Sequence, residues 1–169
     1  MEIAVLGAAL PATLTFAFQR LEHLLSSRRA KPEQDLAVPD VLTGTLQLPL
    51  TADEDRLQAR GAELQMLHDI LVRYADGNTA IRAEDKTLMR NLGMLRAALE
   101  DIYGQRLTFA GEDRPASGPF VTQKLGTLTG EATGMDADYI VGTAQVDQEA
   151  ERVEAGAKLI GMKARRIGE

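Results

Sequence analysis

The chain has 169 residues, a formal net charge of −6, 44% hydrophobic and 4% aromatic content, and neither Cys nor Trp. That length bounds it at one domain, or one domain with an appendage, built around an aliphatic core. The acidic balance argues against a nucleic-acid partner, which needs a basic surface, and the lack of Cys removes disulfides, thiolate metal sites and thiol nucleophiles while fitting a reducing, cytoplasmic compartment.

Ile3 to Phe18 carries no charge, and the run ends in Arg20, Glu22 and His23 and then Arg28, Arg29 and Lys31. A cleaved signal peptide would carry its basic flank first. A spanning helix needs about 20 apolar residues, and only sixteen here are free of charge. The segment therefore reads as a helix, apolar at its start and amphipathic at its end, with Phe18, Leu21, Leu24 and Leu25 on one face. It packs on the rest of the chain as a core helix, lies in a membrane interface, or joins copies of the chain. The contact residues for the last two roles are Ile3, Val5, Leu6, Leu10, Leu14, Phe16, Phe18, Leu21, Leu24 and Leu25. Arg28 and Arg29 stand ready for acidic lipid on the inner face of a membrane. Pro11 kinks the helix, or separates a short plug from a helix starting near Thr13.

Residues 32–50 form a linker and a short extended segment. Leu46, Leu48 and Leu50 alternate with Thr45, Gln47 and Pro49, the period of a half-buried strand, and Pro49 confines it to an edge or a strand end.

Residues 51–104 predict an antiparallel helical hairpin. Thr51 to Glu54 matches a capping box. Leu57, Leu64 and Leu71 share one face, and Gly77 suits a left-handed stop. The second helix starts near Ala83 or Glu84. It runs through Leu88, Leu92, Leu95, Leu99 and Ile102 as a heptad seam and stops at Gly104. Met66, Ile70, Met89, Met94 and Tyr103 lie off the seam and need another surface. Glu100-Asp101 sits at the helix end where the dipole disfavours acid.

Residues 105–169 hold nine of the fifteen glycines and predict a β module. Leu107 and Phe109 alternate as a short strand, and Gly111 to Pro119 is a loop. The tail repeats itself. Val121, Gln123 and Leu128 match Val146, Gln148 and Val153 at a spacing of 25 residues. Gly130 matches Gly156. Gly134, Met135, Ala137 and Ile140 match Gly161, Met162, Ala164 and Ile167 at a spacing of 27. A turn insertion produces such a slip. The units, about 121–142 and 146–168, each read as strand, Gly turn, strand. Two units are too few for a free-standing solenoid, so they form a small sandwich or curled sheet, or stack with units of other chains.

The repeat sets acidic Asp136 and Asp138 against basic Lys163 and Arg165. That favours inter-repeat charge pairs over a metal-binding pair. His23 and His68 lack metal-ligand spacing, and there is no phosphate loop and no nucleophile elbow. Glu112, Asp113 and Arg114 mark the loop as a candidate partner site, since loops carry function more often than regular elements.

The run from Leu95 to Phe109, LRAALEDIYGQRLTF, continuing into Gly111-Glu112-Asp113-Arg114-Pro115, resembles small uncharacterised proteins of actinobacteria. They share the layout of an apolar start ending in basic residues, a helical middle and a Gly-rich β tail. The resemblance implies a bacterial intracellular protein, a companion of a larger effector or defence system. It carries no catalytic residue.

The sequence as a whole predicts an α+β chain: an N-terminal helix over 1–31, the linker, the hairpin and the β module. Its expected work is non-enzymatic and needs no cofactor. It self-assembles or meets a membrane through its N-terminal helix. The alternative is an adaptor that binds a larger protein partner through the 111–119 loop or the tail.

Overall fold

Seven-residue spacing along Leu57, Leu64 and Leu71, and the heptad seam of the following segment, lead to the helices they predict. The structure, a computed structural model, describes residues 9–26, 36–141 and 144–168. Four helices precede five strands: α1 (Leu10–Ser26), α2 (Glu54–Ala59), α3 (Gly61–Ala75), α4 (Lys86–Tyr103), β1 (Gln105–Arg106), β2 (Gly118–Leu128), β3 (Glu131–Val141), β4 (Gln145–Val153) and β5 (Lys158–Gly168). The chain is α+β.

The first hairpin helix is broken in two. Asp53, rather than Thr51, is the N-cap of α2, its carboxylate accepting from the Arg56 amide at 3.0 Å. The capping box does not form, because Thr51 turns its hydroxyl toward the Pro49 carbonyl. The break falls at Arg60, immediately before the helix-weakening Gly61. Asp85 caps α4 and accepts from the amides of Thr87 and Leu88. Gly104 ends that helix in the left-handed region, φ 61°, where a residue without Cβ pays no steric penalty.

Helices α1, α3 and α4 pack on one another around a single core. Leu64, Leu67 and Leu71 of α3 and Leu88, Leu92, Leu95 and Leu99 of α4 are fully buried. The face of α1 fills the third side. Leu10, Leu14, Phe16, Phe18, Leu21 and Leu24 are buried and Leu25 is half-buried. Burying each large side chain stabilises by roughly 1.5–3 kcal/mol. The folded chain buries that described apolar face within its own core. Ile3, Val5, Leu6, Arg28 and Arg29 lie outside the described residues. Pro11 sits in the first turn of α1, where its missing amide costs nothing, and neither kinks the helix nor delays it to Thr13. Arg20 is also buried, its guanidinium 5.6 Å from the centroid of Phe16. Of the off-seam residues, Tyr103 is buried, Met89 and Met94 pack on the core, and Met66 remains exposed.

No strand forms over Leu46–Leu50. Leu46 and Leu50 are buried but Leu48 is exposed, so the alternation fails at its middle. The segment holds instead through isolated bridges, Leu42 to Phe109 and Gly44 to Ser117. The Gln105 side chain also brackets the backbone of Gln47, accepting from its amide at 2.8 Å and donating to its carbonyl at 2.7 Å. Leu107 and Phe109 are both buried beyond the two-residue β1 and do not alternate as a strand.

The strands form two sheets, ordered β1-β2-β4 and β3-β5. β1 pairs antiparallel with the first two residues of β2. The longer pairings are parallel: β2 with β4, and β3 with β5. Consecutive strands β2 and β3 therefore lie in different sheets, as do β4 and β5. Each pair is a β-arch, and the second arch is stacked on the first.

Candidate assembly surface

Each arch is a strand, a turn and a strand whose inward positions are small, apolar or amide side chains. Val121, Gln123 and Leu125 of β2 alternate with more exposed Thr122, Lys124 and Gly126. β4 repeats the pattern through Val146, Gln148 and Ala150. The first turn needs only Thr129 and Gly130, whereas the second spans Glu154 to Ala157, with Gly156 at φ 89°. Those two additional residues turn the 25-residue register of the leading strands into the 27-residue register of the trailing ones. The turns are themselves joined, the Glu154 amide donating to the Leu128 carbonyl at 3.0 Å and the Lys158 amide to the Gly130 carbonyl at 2.9 Å.

At five uncharged positions the stack sets like on like. Val121 lies on Val146, Gln123 on Gln148, Met135 on Met162, Ala137 on Ala164 and Ile140 on Ile167. Gln148 donates to the Gln123 side-chain oxygen at 2.8 Å, and Gln123 donates across the arch to the Thr133 carbonyl at 3.2 Å. Gly134 gives the backbone room at the centre of the first arch. A Cβ there would overlap the Val146 side chain and sit 2.6 Å from the Gly161 carbonyl oxygen.

Where the first arch is charged, the stack sets opposite on opposite. Lys124 lies on Glu149, Glu131 on Lys158, and Asp136 on Lys163. Lys124 Nζ is 3.7 Å from Glu149, Lys163 Nζ is 2.9 Å from Glu131, and Arg165 Nε is 3.2 Å from Asp138. The hydrogen bond with Glu131 raises the Lys163 ammonium above its ordinary pKa. The first arch has no charged residue outside this set, so all four of its charges face an opposite charge. Parallel stacking brings Asp136 and Asp138 beside Lys163 and Arg165. Each pair is exposed, so alone it contributes little.

The edges of this stack are open. Among the described residues, β4 has a neighbour only on its β2 side, β3 and β5 have only each other, and β1 covers β2 only at Gly118 and Pro119. The module also exposes Tyr139, Val153, Leu159 and Ile167. Unpaired backbone along a regular strand is a template for another strand.

The 111–119 loop is differently built. Glu112 is buried at its side chain, pairs with the buried guanidinium of Arg96, and accepts from the Phe109 amide at 2.8 Å. Arg114 holds Glu100 through both carboxylate oxygens, at 2.9 and 3.2 Å, and Glu100 also accepts from the Leu107 amide. Burial and the nearby Arg114 charge lower the Arg96 pKa from its ordinary value. Glu112 and Arg114 thus lock the loop to α4, and of the three candidate residues only Asp113 is exposed. The acidic pair at the end of α4 has the same explanation: Glu100 meets Arg114, and Asp101 meets Arg56 and Arg60 at 2.9 and 2.7 Å.

A cleft of about 610 Å³ lies between the end of α4 and β2. Its arginines are engaged, Arg56 by Asp53 and Asp101, Arg114 by Glu100, and Arg106 by Asp147 and the Phe120 ring. His68 stacks on Phe18, ring centroids 5.4 Å apart. Among the described residues there is no group of three His, Cys, Asp or Glu arranged to hold a metal ion. Among them, too, no helix is long and apolar enough to cross a membrane.

No protein-family model, curated protein or solved structure matches the chain.

Proposed function

We propose that this is a non-enzymatic interaction protein that assembles with other copies of itself, and that the stacked β-arches are its contact element. The observation that carries the reading is the parallel, in-register stacking of two arches whose outer edges are open. A surface that already pairs with its own repeat is chemically matched to the repeat of another copy. Two rungs bury little by themselves, and repeat modules gain stability as neighbours are added. The helical bundle then acts as the unit that the stack gathers. Contact through the N-terminal helix is less favoured, because the described part of its apolar face is buried. The adaptor alternative draws support only at the tail, where a partner's strand can add to an open edge; the 111–119 loop is closed by ion pairs.

Sedimentation velocity across a concentration series tests the proposal, with diffraction from aligned material. Concentration-dependent assembly with a reflection near 4.8 Å, the spacing between hydrogen-bonded strands, supports it. A chain that stays monomeric at every concentration overturns it.

A further inference from the structure

The ladders of the β module carry information about order as well as affinity. The first arch presents Lys124, Glu131, Asp136 and Asp138, and the second presents Glu149, Lys158, Lys163 and Arg165 at the stacked positions. A further copy can be added in two ways. In head-to-tail order the second arch of one copy meets the first arch of the next, and these four charged ladders alternate in sign without end. In head-to-head order a first arch meets a first arch through the same strand edges, which turns the incoming strands antiparallel and takes the residues off their equivalents. The ladders of Val, Gln, Met, Ala and Ile therefore continue only in head-to-tail order. There the charge ladders set opposite signs at every junction.

We propose that a second copy of this chain docks head to tail on the open arch edges, and that these four charge ladders strengthen that junction. The proposal rests on the assembly reading above. It gives the assembly one direction and a repeat of two strand spacings, roughly 9.5 Å per copy. β1 covers only the first two residues of β2, and the Phe120 amide donates to the Gly104 carbonyl at 3.0 Å, leaving the edge from Val121 onward for the incoming β4. Opposite charges directly opposed across paired strands stabilise the pairing and like charges destabilise it, so an incoming arch whose charges do not complement the first arch is disfavoured at every junction. This is the logic by which interfaces acquire specificity through repulsion.

The test uses the full chain and a variant in which the partners of each ladder are exchanged: Lys124→Glu with Glu149→Lys, Glu131→Lys with Lys158→Glu, Asp136→Lys with Lys163→Asp, and Asp138→Arg with Arg165→Asp. All eight positions are exposed, and the internal pairing keeps its complementarity. Each chain should assemble with itself. Preformed wild-type assemblies should recruit the exchanged chain about tenfold more slowly than their own, since four weak repulsions act together. The difference should vanish near 1 M salt, where the screening length is about 3 Å. Preferential co-assembly of the two chains, which head-to-tail ladders forbid, would overturn the proposal. Equal recruitment at low salt would also overturn it, by removing any role for the ladders. If the eightfold variant does not assemble alone, the single exchange Asp138→Arg/Arg165→Asp replaces it and is read by the same criteria, with a smaller difference. A wild-type chain that never assembles defeats the earlier reading instead.

Discussion

Gln148 and Gln123 hold equivalent places on successive arches, and the side-chain amide of the first donates to the side-chain oxygen of the second at 2.8 Å. Amide ladders of this kind accompany stacked strands, because each side chain finds its partner one rung away. Both sit inside the arch, where Gly134 lets the backbone approach. Gly134→Ala should therefore strain the module at one point. Overpacking of this kind costs about 1–3 kcal/mol. The expected result is loss of strand signal and of assembly at lower urea or temperature, with the helical transition unmoved. Circular dichroism separates the two. A variant that assembles as well as wild type would mean that the arches are less closely packed than described.

The pair of Arg96 and Glu112 joins α4 to the loop that leads into the β module, and both side chains are buried. Removing one partner of a buried pair leaves a stranded charge and costs about 3–5 kcal/mol. Arg96→Met should therefore destabilise the whole chain, and should do so more than Arg56→Ala, which removes an exposed pair worth about 0.2–1 kcal/mol. Urea denaturation of both variants checks the order. Equal, small losses would make Glu112 a surface residue after all and return the loop to the list of partner sites.

Asp85 supplies a pH dependence of known sign. The Leu88 amide, the Tyr74 hydroxyl at 2.8 Å and the Thr87 amide bind its carboxylate and lower its pKa below 3.8. A group depressed in the folded state stabilises above its unfolded pKa and loses that contribution as the pH falls through its folded value. Stability attributable to Asp85 should thus be full at pH 6 and decline only below about pH 4. Asp85→Ala should cost about 1 kcal/mol at pH 6, as expected for a lost N-cap, and less at pH 2. Denaturation midpoints of both chains at the two pH values measure this. A constant difference would show that the cap acts without its charge.

The parts of the fold that were legible in the sequence are those specified by local pattern. The leucine seams place α3 and α4, Gly104 ends α4, and the matched Gln123 and Gln148 announce the repeat. Even the slip from 25 to 27 residues has its cause in the longer second turn. Other features depend on partners distant in sequence. Nothing near Glu112 indicates that Arg96, on another element, will bury it, so the loop looked like an exposed acidic spot. Glu100 appeared misplaced at a helix end because its partner Arg114 lies beyond β1. Parallel stacking of the arches was likewise hidden. The sequence shows that two units match, but only the positions of β3 and β5 decide between a sandwich and a stack. The sign alternation between Asp138 and Arg165 was visible, and its meaning depended on that geometry.

Leu21 tests the last relationship, between α1 and the rest of the bundle. Its side chain is fully buried, and α1 packs on both α3 and α4. Leu→Ala at such a site removes transfer free energy and leaves a cavity, typically costing 2–5 kcal/mol. Leu21→Ala should therefore lower the thermal midpoint of the helical bundle by several degrees or more. It should leave liposome flotation of the full chain unchanged, because a residue enclosed by α3 and α4 has nothing to give a bilayer. A chain starting at Lys31 completes the comparison. It should lose helical stability without losing any binding to vesicles of acidic lipid. If the full chain floats, and either change abolishes flotation while leaving the bundle stable, then α1 leaves the core on a membrane surface. Its apolar stripe would then serve the bilayer instead of Leu64, Leu67 and Leu95.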